Sequence, residues 1–162
     1  MNRIDPRLDL TLDRVIRAPR SVVWRAWTDP SRLQQWWVPA PTVARIDQLE
    51  VQPGGAFVTS MSDDGQEFVA HTDAIFLVVE AQERLVFTNA IDSGWRPAAP
   101  APVPMTAEIT FADHADGTDY RVVVRHGDPA DRDRHEELGF FDGWGSVTAA
   151  LAAAAEEEEA AQ

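Results

Sequence analysis

The sequence predicts an α+β fold in which a curved antiparallel sheet of about seven strands wraps around a long C-terminal helix. Two observations carry this prediction. Apolar and polar residues alternate with the period of a half-buried strand through most of the chain, and the last part instead shows apolar residues at helical spacing. The 162 residues, of which 44% are hydrophobic, suit one domain with its own core. We therefore expect a single domain over residues 1–162.

The first elements are a strand and two short helices. Residues 8–17 alternate as a strand does, and Ala18-Pro19 ends it. Pro19 suits the first turn of a helix, whose apolar positions are Val22, Val23, Ala26 and Trp27. Asp29 followed by Pro30 then has the pattern of an N-cap and first helical residue. A second short helix is therefore predicted before Pro39.

The middle of the chain reads as an antiparallel meander, because alternating segments are separated by turn residues such as Pro53-Gly54-Gly55 and Asp116-Gly117. A Pro-rich loop precedes the fifth segment. Glu108 falls on the outward face of that fifth strand, where an Arg of the next strand could pair with it. The six predicted strands span residues 43–51, 55–62, 67–79, 84–91, 104–112 and 118–126.

The C-terminal segment is predicted to be one helix, from about residue 129 to beyond residue 155. Its apolar stripe consists of Phe140, Trp144, Val147 and Leu151. Glycine costs about 1 kcal/mol in a helix interior, so Gly139, Gly143 and Gly145 indicate a kink or a thin helix surface. The acidic end, residues 156–162, is expected to be a frayed tail without function.

Composition excludes several classes of function. The net charge of −13 makes nucleic acid and anionic membrane surfaces poor partners. The lack of cysteine removes disulfides and thiol chemistry. Because the N-terminus lacks a signal peptide and no run reaches the ~20 apolar residues of a membrane span, we expect a cytoplasmic protein.

Catalytic and metal motifs are also missing from the sequence. His135-Glu136 would need a second histidine where Gly139 stands to form a zinc motif. Trp144 occupies the position where a nucleophile elbow around Ser146 would need glycine. We therefore predict no metal site, no cofactor and no catalytic residue, and an enzyme is the less favoured reading.

Four segments carry a family resemblance. They are RAPRSVVWRAWTDP at residues 17–30, QPGGAF at 52–57, ERLVFT at 83–88 and RHEELGFFDGWG at 134–145. Together they resemble the START-like (SRPBCC, Bet v 1-like) superfamily, and within it the branch of Hsp90-ATPase-activator homologues. The resemblance implies a helix-grip fold over nearly the whole chain. Superfamily members include lipid and hormone binders, polyketide aromatase/cyclases and toxin-sequestering proteins.

The resemblance and the strand alternation together predict a cavity between the sheet and the last helix. Alternation turns five of the candidate side chains toward that helix, and the remaining three lie on or near helices. A structural role in the core remains the alternative for each aromatic residue and for His126. The predicted lining residues are Trp37, Phe57, Thr59, Phe87, Asn89, His126, Phe141 and Trp144.

Three functions follow from such a cavity. The favoured one is a binding protein for an apolar or aromatic small molecule, oriented by Thr59, Asn89 and His126. The first alternative is a polyketide cyclase/aromatase-like enzyme, in which His126 or Asn89 assists proton transfer. The second is a protein-interaction domain or homodimer that uses an exposed apolar patch and holds no ligand.

Overall fold

The computed structural model describes residues 3–162, and within them seven strands form one antiparallel sheet and four helices pack against it. This arrangement confirms the helix-grip prediction. The helices are α1 (Arg20–Thr28), α2 (Pro30–Leu33), α3 (Pro129–Glu137) and α4 (Phe140–Ala160). The strands are β1 (Asp9–Ile16), β2 (Val43–Leu49), β3 (Ala56–Ser62), β4 (Val69–Glu80), β5 (Arg84–Thr88), β6 (Thr106–His114) and β7 (Gly117–Arg125).

The strand order is β1-β7-β6-β5-β4-β3-β2. Strands β2 to β7 follow one another as the predicted meander, while β1 pairs with β7, from Asp9 opposite Arg125 to Ile16 opposite Thr118. Helices α1 and α2 carry the chain from the β1 edge to the β2 edge. Asp29 caps α2 as the sequence indicates, because its carboxylate accepts a hydrogen bond from the Ser31 amide at 3.0 Å.

The core lies between the inner face of the sheet and helices α1 and α4. Its centre is Trp27 of α1, which is 1% exposed. The Nε1–H of Trp27 donates to the Tyr120 hydroxyl at 3.0 Å, so the one polar atom of the ring is satisfied in the interior. Phe140, Val147 and Leu151 of the predicted stripe are buried, whereas Trp144 is half-buried.

The C-terminal segment is two helices, and the prediction of one continuous helix from residue 129 is wrong. Helix α3 is capped by the Asp128 carboxylate, which accepts from the Asp131 amide at 2.8 Å. The chain then breaks at Gly139, whose φ of +98° lies in the left-handed region that favours glycine. Gly139 thus separates a short polar helix from the long apolar one.

The expectation of a frayed acidic tail is also wrong for most of its length, because α4 continues to Ala160. The Glu156 carboxylate accepts a hydrogen bond from the Arg17 amide at 2.9 Å. Glu158 forms ion pairs with Arg25 at 3.3 Å and Arg32 at 3.0 Å. These contacts fasten the last turns of α4 to the region of α1 and α2, so two of the four adjacent acids have partners that the sequence pattern did not reveal.

Within residues 3–162, none of the helices combines the length and the apolar character that crossing a membrane requires.

Candidate functional site

A partly open cavity of about 500 Å³ lies between β4, β5 and helices α3 and α4. Aromatic and aliphatic side chains form most of its wall, and a few polar groups interrupt them. The loop before β6 contributes part of the rim. The lining residues are Trp37, Pro39, Ala70, His71, Thr72, Asp73, Phe87, Asn89, Pro100, Ala101, Pro102, Val103, Met105, His135, Gly143, Trp144 and Val147.

Four of the eight predicted residues lie on this wall: Trp37, Phe87, Asn89 and Trp144. The Trp37 ring packs edge to face with Trp144 at a centroid distance of 6.3 Å and with Phe87 at 6.1 Å. Phe87 is buried and Trp144 is half-buried. Three aromatic rings from a loop, a strand and α4 therefore meet around the same space, and Trp144 has one side in contact with the core.

Phe57 and Phe141 were predicted to line the cavity and do not. Phe57 points inward but lies deeper, under Trp37 at 5.1 Å and stacked on Phe76 at 5.3 Å between centroids. Phe141 follows the buried Phe140 by one residue, about 100° around the helix, and is therefore 47% exposed.

Thr59 and His126 do not line the cavity either. Each lies behind a histidine that does, His71 in front of Thr59 and His135 in front of His126. The Thr59 hydroxyl is 3.1 Å from Nδ1 of His71. Nε2 of His126 is 2.8 Å from Nδ1 of His135. Both predicted residues face the expected side of the sheet but are covered by a second side chain. The sequence pattern does not indicate His135 as a lining residue, because it predicts one continuous helix where the structure has α3 and α4.

Asn89 lines the cavity, yet its amide group is engaged within the protein. Its Oδ1 accepts a hydrogen bond from the Met105 amide at 2.8 Å, and its Nδ2 donates to the Val103 carbonyl at 3.4 Å. Asn89 thus holds the end of the loop before β6 against β5. The three residues expected to orient a ligand, Thr59, Asn89 and His126, all use their polar atoms to support the wall.

The electrostatics of the site favour a neutral His135. Burial lowers the pKa of His135 to about 4, and the neighbouring His126 acts in the same direction. Among the lining residues of the described chain there is no arginine or lysine, so the wall carries no permanent positive charge. Within residues 3–162, no three histidine or acidic side chains are grouped closely enough to hold a metal ion.

The depressed pKa of His135 predicts a loss of stability in mild acid. The unfolded chain takes up a proton on this histidine below about pH 6.5, whereas the folded protein does so only near pH 4. The contribution of the neutral His135 to stability is therefore complete above pH 6.5 and is lost as the pH falls toward 4.

We expect the melting temperature of wild type to fall more steeply between pH 6.5 and pH 4 than that of His135→Phe. His114→Gln, which removes an exposed histidine, should keep the wild-type slope, and parallel curves for all three proteins would contradict the prediction.

Comparisons with known proteins identify the family. The family model described as "Activator of Hsp90 ATPase homolog 1-like protein" matches residues 17–156. A protein from Nitrosomonas europaea is 37% identical over 97% of this chain and 99% of its own, with a TM-score of 0.84. A Mycobacterium smegmatis protein, 23% identical, covers 90% of this chain and 89% of its own, with a TM-score of 0.74.

The solution structure of an AHSA1-like protein from Aeromonas hydrophila shares the fold at 21% identity, over 93% of this chain and 94% of its own, with a TM-score of 0.64. No curated protein matches the sequence. The family model covers most of the chain, and the Nitrosomonas relative covers nearly all of it. The chain therefore belongs to the Activator of Hsp90 ATPase homolog 1-like family, the branch of the START-like superfamily that its motifs resemble.

Proposed function

We propose that this protein binds a small apolar or aromatic molecule in the cavity between the sheet and helices α3 and α4. The observation that carries the proposal is the cavity itself. Its volume of about 500 Å³ is within the range of small-molecule sites, which are mostly apolar with a few polar groups. The superfamily fold, which also serves ligand binders and cyclases, supports the same reading.

The aromatic wall explains why an apolar ligand would gain by entering. Trp37, Phe87 and Trp144 present ring surface to the cavity, and covering such surface releases about 25 cal/mol for each Å² removed from water. Trp144 is half-buried, so a molecule in the cavity would cover more of its ring. Contacts between aromatic rings add a further 0.5 to 1.5 kcal/mol or so for each well-placed pair.

Gly143 offers a direct test, because it lines the cavity and a Cβ built on it meets no heavy atom within 4 Å. Gly143→Leu should therefore place a side chain in the ligand's space, and its Cβ meets no close contact. Gly145→Leu is the matched control, since its Cβ is equally free and Gly145 does not line the cavity. Both changes replace a glycine within α4, which by helix propensity stabilises the helix by up to about 1 kcal/mol.

The measurement is titration with the neutral fluorescent probe N-phenylnaphthylamine. We expect saturable binding to wild type and to Gly145→Leu, and binding at least about tenfold weaker to Gly143→Leu, which corresponds to about 1.4 kcal/mol. Thermal unfolding of the three proteins verifies that both variants are folded. Equal affinity of the two leucine variants, or a lack of saturable binding to wild type, would refute the proposed function.

A further inference from the structure

Two histidines and a backbone carbonyl form a chain of hydrogen bonds that ends at the cavity. Nδ1 of His126 is 2.8 Å from the Leu8 carbonyl oxygen, and Nε2 of His126 is 2.8 Å from Nδ1 of His135. His126 is only 7% exposed, so both of its ring nitrogens are bonded inside the protein. His135 lines the cavity, and its ring is held edge to face against Phe140 at 5.1 Å.

The chemistry of these partners fixes the position of each proton. A carbonyl oxygen only accepts hydrogen bonds, so Nδ1 of His126 carries the proton and donates it to Leu8. When both rings are neutral, Nε2 of His126 is the acceptor and Nδ1 of His135 is the donor to it. A neutral imidazole has one N–H. Nε2 of His135 is therefore an unprotonated acceptor.

This nitrogen is available to a ligand. Among residues 3–162 no hydrogen-bond partner of His135 Nε2 is found, and the side chain is half-buried on the cavity wall. The other polar lining groups differ from it. The Asn89 amide is engaged with Val103 and Met105, and the Thr72 hydroxyl accepts from Trp37. Nδ1 of His71 is within hydrogen-bond distance of the Thr59 and Thr72 hydroxyls, and Oδ1 of Asp73 accepts from the Ser93 amide. Both residues are also exposed, so water competes for their remaining polar atoms.

We propose that the natural ligand is an apolar or aromatic molecule that carries a hydroxyl group of the phenol or enol type, and that this hydroxyl donates to Nε2 of His135. The inference rests on the proposed function and assigns the class of ligand for the same cavity. His126 is a positioning residue: its hydrogen bond to the Leu8 carbonyl leaves Nε2 as the acceptor for Nδ1–H of His135, and this fixes the His135 tautomer. A carboxylate ligand is disfavoured, because its oxygen lone pairs would face the lone pair of His135 Nε2. The cavity wall has no arginine or lysine to neutralise the carboxylate, and the protein has a net charge of −13.

Three matched probes test this assignment at neutral pH: β-naphthol, its methyl ether and β-naphthoate. They share one aromatic body and differ in the group offered to His135, namely a donor, a neutral acceptor and an anion. We expect wild type to bind β-naphthol about tenfold more tightly than the ether, the ratio that one net hydrogen bond of about 1 to 1.5 kcal/mol gives. β-Naphthoate should bind most weakly of the three.

Three variants test whether His135 causes the preference for β-naphthol over its methyl ether. His135→Leu should reduce the affinity for β-naphthol to that for the ether and leave the ether's affinity nearly unchanged. His126→Phe removes the group that fixes the tautomer, so the preference for β-naphthol should shrink while His135 remains. His114→Gln is the control and should keep the wild-type ratio.

The outcomes separate the two proposals. Equal binding of β-naphthol and its ether to wild type, or tightest binding of β-naphthoate, would overturn the assignment of His135 and leave the binding function intact. A preference that survives in His135→Leu would do the same. If neither neutral probe nor N-phenylnaphthylamine binds wild type, the binding function itself fails, and this inference with it. The probe ratio of wild type needs no variant, so a poorly folded variant does not block the test.

Discussion

Trp27→Ala is expected to lower the free energy of unfolding by about 3 to 5 kcal/mol, the range for removing a large aromatic side chain from a packed core. The centroid of the Trp27 ring lies 4.9 Å from that of Trp36 and 5.3 Å from that of Trp37. It also contacts Phe57 and Phe87. Its loss would open a cavity among four rings and leave the Tyr120 hydroxyl without its indole donor.

Urea unfolding followed by circular dichroism measures this effect. Trp24→Ala is the matched control, because Trp24 lies on the same helix but is half-buried and packs on Phe111 at 5.5 Å. It should cost about 1 to 2 kcal/mol, as partly exposed apolar groups contribute less than fully buried ones. Trp27→Ala costing no more than Trp24→Ala would show that the ring cluster is not the centre of the core.

Glu108→Gln is expected to cost about 2 to 3 kcal/mol. Glu108 lies on the outer face of the sheet, as its position in the strand predicts, yet it is 5% exposed because it sits between Val86 and Val123 of the adjacent strands. Its carboxylate accepts from Arg84 at 2.6 Å and from Arg125 at 2.9 Å. Burial raises the pKa of Glu108, but the hydrogen bonds from the two arginines outweigh it and hold the pKa below the usual value.

Breaking a buried ion pair costs about 3 to 5 kcal/mol when the partner stays buried. The cost here is smaller because both arginines reach solvent. Glu80→Gln is the control, since Glu80 pairs with the same Arg84 at 3.0 Å but its side chain is 48% exposed, and ion pairs at exposed positions contribute little. It should change the free energy of unfolding by less than about 1 kcal/mol, and equal losses for Glu80→Gln and Glu108→Gln would contradict the assignment.

The strands were predictable because the sequence places turn residues between segments in which apolar and polar residues alternate. Phe57 and Phe87 both face inward as the alternation predicts, but only Phe87 reaches the cavity. Alternation with a period of two identifies the face of a sheet and carries no information about depth. In this fold the core and the cavity wall lie on the same side of the sheet, so strand position alone does not separate them.

Part of the rim and the His135 side chain come from segments without an apolar repeat. Pro100 to Val103 form part of the rim from a loop, and loops follow no apolar repeat. His135 reaches the wall because the chain turns at Gly139, with its φ of +98°. The sequence indicated a local irregularity through its glycines, but the direction of the turn depends on packing between α3, α4 and the sheet, which one sequence does not display.

The pairing of β1 with β7 has a consequence for the order of folding. Strands β2 to β7 pair with neighbours in sequence, so these hairpins can close as they are synthesised, over short loops except for the longer connection between β5 and β6. β1 leaves the ribosome first, yet its hydrogen-bonding partner is the last strand to be made. Closing such a distant contact is slow compared with local hairpin formation. We therefore expect the N-terminal strand to wait for the meander and to join it as a late step of folding.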